Sequence, residues 1–400
     1  MDPGWARAVL GVTTVALLAA CGTAPSGAGP ASAGSTATSA ATPAATSAVP
    51  SAVAPTPSPT PDPSTSLTGG SQGQVSLVVT VASSTVAYLY TRTGSQPGHL
   101  WVTTDAGLRF REVTAPPTIP GAETSDPPNI VFPTATDGYA IVGQAWDRSS
   151  HLERTEDGGT TWQPVVLPPA AGSVVALAGH GARVYAVTVK CASRSHCTGA
   201  RVWSAASVSG QFAPVAGVLP EREAADGVGL AAWEDSVSVL LGVGATTDPV
   251  TLRSSNAGAT FSTQPGPAAV ACSPTATSRQ VVWLSCSTGM AMAFQRIRLD
   301  QPATGLGVSG AGTGGTFLAP LSDQVAFFGT GLGQDAGLYV TENGGRNFSK
   351  VSSGPPGYTG QTTSYTFSFL TPQIGLAAAY SGGLFRTSDA GASWQPLPTP

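Results

Sequence analysis

The sequence predicts an all-β fold, a seven-bladed β-propeller of four-stranded antiparallel blades. Three observations carry the prediction: a turn phrase written five times, the spacing of its copies, and the strand pattern within one unit. The copies are TTDAGLRF from Thr103, TEDGGTTW from Thr155, SSNAGATF from Ser254, TENGGRNF from Thr341 and TSDAGASW from Thr387. Each has a Ser or Thr, an Asp or Asn two residues later, a Gly two beyond that, and an aromatic three residues further on. Read as a turn, the short carboxylate or amide accepts bonds from nearby backbone N–H groups. The Gly supplies a geometry that a side chain would obstruct, and the Trp or Phe buries beside the hairpin.

Spacing turns the phrase into an architecture. Asp105 and Asp157 lie 52 residues apart and Asn343 and Asp389 lie 46 apart, while the two intervals between are each about twice as long. Two units have therefore lost the phrase, and their remains are SAASVSGQF from Ser204 and the segment around Asp300. The last unit reads YTFSFL, IGLAAAY, LFRTS and SWQPLP, four short strands meandering outward. Equivalent openings fall at Ser76, Ile130, Val174, Gly229, Val270, Thr316 and Tyr365, and nothing from Val75 onward offers a long amphipathic helix. The first and last units each hold four strands of their own, so the ring is expected to close by packing blade 1 on blade 7.

These residues resemble the Asp-box, or bacterial neuraminidase repeat, propellers, a group that includes sialidase-like and Ycf48/HCF136-like proteins. The resemblance covers all seven units, and it implies the fold more strongly than any activity, since the same turn decorates hydrolases and pure binding proteins. In that family the phrase lies between the third and fourth strands, away from the sialidase active site. Asp105, Asp157, Asn256, Asn343 and Asp389 accordingly read as structural. The two Asn copies agree, because an amide accepts the turn's hydrogen bonds but is neither acid nor base.

Residues 1–20 read as a lipoprotein signal peptide. Arg7 precedes AVLGVTTVALLAA, a run too short for a mature membrane span, and Leu18-Ala19-Ala20-Cys21 looks like a lipobox. That likeness implies diacylglycerol transfer to the Cys21 thiol, cleavage before it, and anchoring on the outer face of the cell membrane. An ordinary signal peptide with a chance cysteine is the alternative. Residues 21–73 are the lipidated cysteine and an Ala/Ser/Thr/Pro-rich stalk with one charged residue, Asp62, and residues 74–400 are the propeller.

Only 10% of residues are charged and the formal net charge is −4, with Lys190 and Lys350 the sole lysines, so no basic stripe exists for nucleic acid. The four remaining cysteines of an exported chain favour disulfides, and proximity pairs Cys191 with Cys197 and Cys272 with Cys286. No close zinc-type cysteine spacing occurs, the histidines at 99, 151, 180 and 196 show no ligand spacing, and no cofactor motif survives. Gly69–Gly73 matches G-x-S-x-G inside the stalk, and the glycine string from Gly305 to Gly315 leads into TFLAPL rather than a helix. The Arg-Ile-Pro or Arg-Leu-Pro of family sialidases is absent. Arg154, Arg253 and Arg386 recur just before the repeated turn and mark repetition.

Binding remains. Second-to-third strand loops and blade-to-blade connections share one face, and that face carries the variety. The candidates are Trp146, Asp147, Arg148 and His151 in blade 2, Arg194 and His196 in blade 3, and Glu221, Arg222, Glu223 and Asp226 before blade 4. The expectation is a monomeric, non-catalytic module that binds an envelope protein or cell-wall glycan. The alternative is a divergent sialidase-like glycoside hydrolase, which would call for carboxylates and arginines lining the central channel.

Overall fold

The computed structural model describes residues 75–93, 98–117, 129–143, 150–168, 171–193, 196–220, 228–241, 250–265, 271–287, 292–298, 317–330, 336–356, 358, 365–379 and 383–398. All belong to the compact unit Pro63–Pro400; the unit Met1–Asp62, and with it the signal peptide and Cys21, lies outside the described residues, as does the whole stalk.

Seven antiparallel sheets follow one another along the chain, each a meander of sequence-adjacent strands. They span 75–113, 130–165, 173–214, 229–265, 271–298, 317–352 and 365–397, within one residue of the expected openings. Blade 5 shows three strands among the described residues and the other six have four; the stretch 299–316 that follows blade 5 is not described. Neighbouring blades meet through their first strands, so these line the middle of the ring. Val75–Val81 touches both Ile130–Val131 and Tyr365–Phe369. The ring closes blade 7 on blade 1 with no shared strand: Leu89 packs with Ala378 and Leu384, and Arg386 Nε donates to Ala106 O at 2.8 Å.

The core is a set of blade-to-blade seams rather than one centre. Tyr139 and Leu152 of blade 2 pack with Val184 and Trp203 of blade 3, and Phe327 of blade 6 stacks on Phe369 of blade 7 at 3.7 Å. Fully burying one such side chain is worth about 1.5–3 kcal/mol, so the alternating apolar residues of strands two and three supply most of the drive. Second-strand rings also reach the next blade's turns with their polar ends. Tyr88 OH donates to Ala135 O at 2.8 Å, Tyr139 OH to Ser207 O at 2.6 Å, Tyr185 OH to Glu234 O at 2.9 Å, and Trp283 Nε1 to Ser322 O at 3.1 Å. Burial pushes each of these three tyrosines up to about 12, so the hydroxyl stays a donor.

The repeated phrase is a turn between strands three and four, as expected. In blade 2, Asp157 Oδ1 accepts from Thr155 Oγ1 at 2.8 Å and Thr161 N at 2.9 Å, while Gly159 N donates to Thr155 Oγ1 at 2.8 Å. Asn256 and Asn343 make the same backbone bond at 3.0 Å, to Thr260 N and Asn347 N. The residue after the acid or amide is left-handed, and its N–H crosses to the hairpin joining strands one and two of the same blade. Ala106 N reaches Thr85 O, Gly158 N reaches Thr136 O, and Ala390 N reaches Gln373 O, each at 2.9 Å. The following Gly sits under the preceding blade. At Gly107, φ is +81° and an added Cβ would lie 2.7 Å from Leu376 Cδ2; at Gly391, φ is +89° and Leu338 occupies the space. One correction concerns the aromatic. Trp394 is buried, but Phe110, Trp162, Phe261 and Phe348 are half-buried, because the fourth strand is the outer edge of the blade and water reaches one side.

Candidate functional site

The turn pattern divides the ring into two faces. One, the box face, carries the repeated turns and the first-to-second strand hairpins. The other, the loop face, carries the second-to-third strand loops and the blade connections. The candidate residues are those the sequence assigns to the loop face. His151 and His196 are described in the backbone; Trp146, Asp147, Arg148, Arg194, Glu221, Arg222, Glu223 and Asp226 lie outside the described residues.

His151 opens the third strand of blade 2, His151–Thr155, and His196 opens that of blade 3, His196–Ala206. His99 opens the equivalent strand of blade 1, His99–Thr103. Three adjacent blades therefore begin their third strands with histidine on one face. The sequence carries this signal in blades 1 and 2, where each His stands four residues before the box Thr. In blade 3 Ala200 holds that position before the decayed box at Ser204, and His196 lies four residues farther out along the long hairpin.

Two of these histidines have carboxylate partners. His99 Nδ1 lies 2.6 Å from Glu112 Oε1, both exposed, with Trp101 alongside and anchored by a 3.3 Å bond from its Nε1 to Thr91 Oγ1. His151 Nε2 lies 3.1 Å from Glu153 Oε1. Glu153 is itself buried, unlike Glu112. It pairs in register with Ala140, which packs against Tyr90 and Leu100 of blade 1, so its carboxylate belongs to the blade 1–blade 2 seam. Tyr90 OH in that seam and the nearby Ser150 Oγ are buried without hydrogen-bond partners. An unpaired buried hydroxyl costs about 1–3 kcal/mol, so this part of the seam gives up stability at these two groups.

Blade 3 shapes the face. Its second and third strands, Arg183–Ser193 and His196–Ala206, are 11 residues each, against five in the equivalent strands of blade 2. At about 3.3 Å per residue the excess projects the hairpin on the order of 15–20 Å. Cys191 and Cys197 sit directly opposite each other in it and form a disulfide, buried beside Val189 and Val228. The second disulfide, Cys272–Cys286, joins strands one and two of blade 5 near the same face. Both pairings agree with the sequence expectation.

The innermost strands are of opposite character. Val75–Val81, Ile130–Val131, Ser173–His180, Gly229–Trp233, Ala271–Ala276, Phe317–Pro320 and Tyr365–Phe369 carry no Asp, Glu, Lys or Arg. His180 ends one of them at the box face, stacked on Trp233 at 3.5 Å; burial holds it below the usual histidine range, against the opposing pull of Glu234. Around it Arg183 pairs with Asp235 at 2.5 Å and Arg279 Nε donates to Glu234 at 2.6 Å, so these charges tie blades 3, 4 and 5 together. Among the described residues no cluster of His, Cys, Asp and Glu has metal-site geometry.

No family model matches the chain, and no curated protein matches it. Solved structures do. Ycf48 from Cyanidioschyzon merolae superposes with a TM-score of 0.52 at 14% identity, covering 80% of this chain and 97% of that one. A Ycf48 structure bound to D1 peptide gives 0.51 at 14%, covering 79% and 94%. A polysaccharide lyase, the PL25 ulvan lyase, gives 0.51 at 11%, covering 82% and 97%. At these identities the likeness shows the fold, shared by a peptide-bound protein and a glycan-cleaving enzyme alike.

Proposed function

We propose that this propeller is a non-catalytic binding module, exported and anchored through a lipidated Cys21 on the outer face of the membrane, whose loop face at blades 1 to 3 takes up a protein segment. The observation that carries the reading is that His99, His151 and His196 open the third strands of three consecutive blades on one face, the last of them at the tip of a stapled projecting hairpin. Paired imidazoles and carboxylates there offer donors and acceptors to a backbone or polar side chain. Trp101 adds aromatic surface. The hairpin forms a wall against which a segment can lie.

The uncharged innermost strands favour binding over glycosidase chemistry, which needs a pair of carboxylates flanking the scissile bond. Ycf48, which shares the fold, has been solved with a bound peptide, and this supports a protein ligand as one that such a propeller can take. Two disulfides fit an oxidising, extracytoplasmic compartment.

The test is affinity capture from the native envelope, using the wild type and a variant with His99, His151 and His196 all replaced by Ala. The reading expects a protein retained by the first and lost from the second, with both melting cooperatively. Retention of glycan in place of protein, or release of reducing sugar from envelope polysaccharide, would replace it with the enzyme or lectin reading. Cys21→Ser is expected to release the protein from the membrane fraction, and a membrane-held Cys21→Ser variant would remove the anchor from the proposal.

A further inference from the structure

Blades 2 and 4 carry an arginine at the same place, one residue before the box Thr155 or Ser254. Both are buried, 9% and 4% exposed. Both cross a seam to a backbone carbonyl of the next blade: Arg154 Nη2 to Val208 O at 2.5 Å and Arg253 Nη1 to Arg298 O at 2.9 Å. Their charge compensation differs. Arg154 pairs with Asp137 at 3.2 Å and also with Glu156. Strand register puts Gly138 opposite Thr155 and Val237 opposite Ser254, so Ser236 stands where blade 2 has Asp137, and Ser255 where it has Glu156. Blade 4 has kept the cation and lost both anions.

The consequence is visible at the guanidinium. Among the described residues, Nε and Nη2 of Arg253 are buried with no hydrogen-bond partner, and burial pushes its pKa down to about 10. Those two N–H groups lie on one edge of the planar group, the edge that receives the paired oxygens of a carboxylate or phosphate side-on; Nη1 is already committed to Arg298. A buried charge without a counterion is strongly unfavourable, so an anion that reaches this edge is held firmly.

We propose that the Nε–Nη2 edge of Arg253, in the seam between blades 4 and 5, is a binding site for one small soluble oxyanion of the phosphate or carboxylate class. Enclosure selects size, because a carboxylate borne on a folded partner does not reach an edge sealed between two blades. The bound anion does for this seam what Asp137 and Glu156 do for the seam after blade 2: it neutralises the latch and locks the neighbouring blades.

The experiment is equilibrium unfolding of the mature chain while sodium phosphate replaces sodium chloride at constant ionic strength. Above the dissociation constant, the folded-to-unfolded ratio is expected to rise tenfold for each tenfold increase in free phosphate. Arg253→Met is expected to abolish the dependence, and Arg386→Met, which removes another seam arginine, to keep it. Should Arg253→Met fail to melt cooperatively, Ser255→Glu is the second variant; it restores the carboxylate of blade 2 and is expected to raise phosphate-free stability while removing the phosphate response. A wild type with no phosphate dependence overturns the site. So does a response that persists in Arg253→Met or Ser255→Glu, or one that Arg386→Met removes as well.

Discussion

The two faces of the ring are stabilised by different means. On the box face the commonest reinforcement is local and repeated: a hydroxyl, a carboxylate or amide, two backbone N–H groups, and a left-handed residue whose N–H ties two hairpins of one blade. Among its described residues the loop face shows no repeated turn of this kind. It holds its shape with two disulfides and one long hairpin, each confined to a single blade. A surface fixed blade by blade can vary in one sector without disturbing the rest, whereas a change to the repeated turn is felt in the seam beneath it. The first is suited to recognition and the second to holding the ring together.

Substitutions on the two faces should therefore separate stability from binding. The largest expected loss comes from Gly391→Val, which places a branched side chain at φ +89° and drives it into Leu338. Left-handed strain and overpacking together put the cost at about 3–4 kcal/mol by chemical denaturation, with affinity of the folded fraction unchanged. Next is the Cys272→Ala/Cys286→Ala pair, whose closed loop predicts a loss of about 3 kcal/mol; the shorter Cys191→Ala/Cys197→Ala loop predicts about 2 kcal/mol. The blade 3 pair alone should also weaken partner binding, because it staples the projecting wall. Equal effects of the two pairs on affinity would break the comparison.

Asp157→Ala removes the acceptor of three donors, the Thr155 hydroxyl and the N–H and hydroxyl of Thr161, and is expected to cost about 1–2 kcal/mol. Asp157→Asn should cost only a few tenths, since Asn256 and Asn343 already serve in two blades. The pair also sharpens a pH prediction. The backbone N–H of Thr161 holds Asp157 below the usual carboxylate range, and the Ser393 hydroxyl does the same for Asp389. Their contribution is present above the unfolded carboxylate pKa and is lost as pH falls through the lower folded value. Melting temperature in acid should therefore fall less steeply for Asp157→Asn than for the wild type.

Much of this was legible in the sequence because box turns are short-range. Thr155, Asp157 and Gly159 specify their geometry within five residues, so five copies located the blades and their period gave seven. Partners brought together by strand register were harder to see. The matching of Arg253 with Ser236 rather than an acid needs the pairing of Val237 with Ser254. A second repeated turn also went unread. Ser83, Thr134, Ser278, Ser322 and Thr371 each accept from backbone N–H groups two and three residues on, in the hairpins that join strands one and two. A lone Ser or Thr before a polar pair is too common a string to stand out. His99 and His151 share an offset of four residues from the box Thr, whereas the long blade 3 hairpin carries His196 farther out, eight residues before Ser204.

The most direct test of the face assignment is site-specific photo-crosslinking in the native envelope. A photoreactive residue is placed at position 99, 151 or 196 on the loop face, or at Leu108 or Val208, exposed on box-face turns at 59% and 68%. The account predicts one shared protein adduct from the three loop-face positions and none from the two box-face positions. The same adduct arising from positions 108 and 208, with none from 99, 151 and 196, would contradict it.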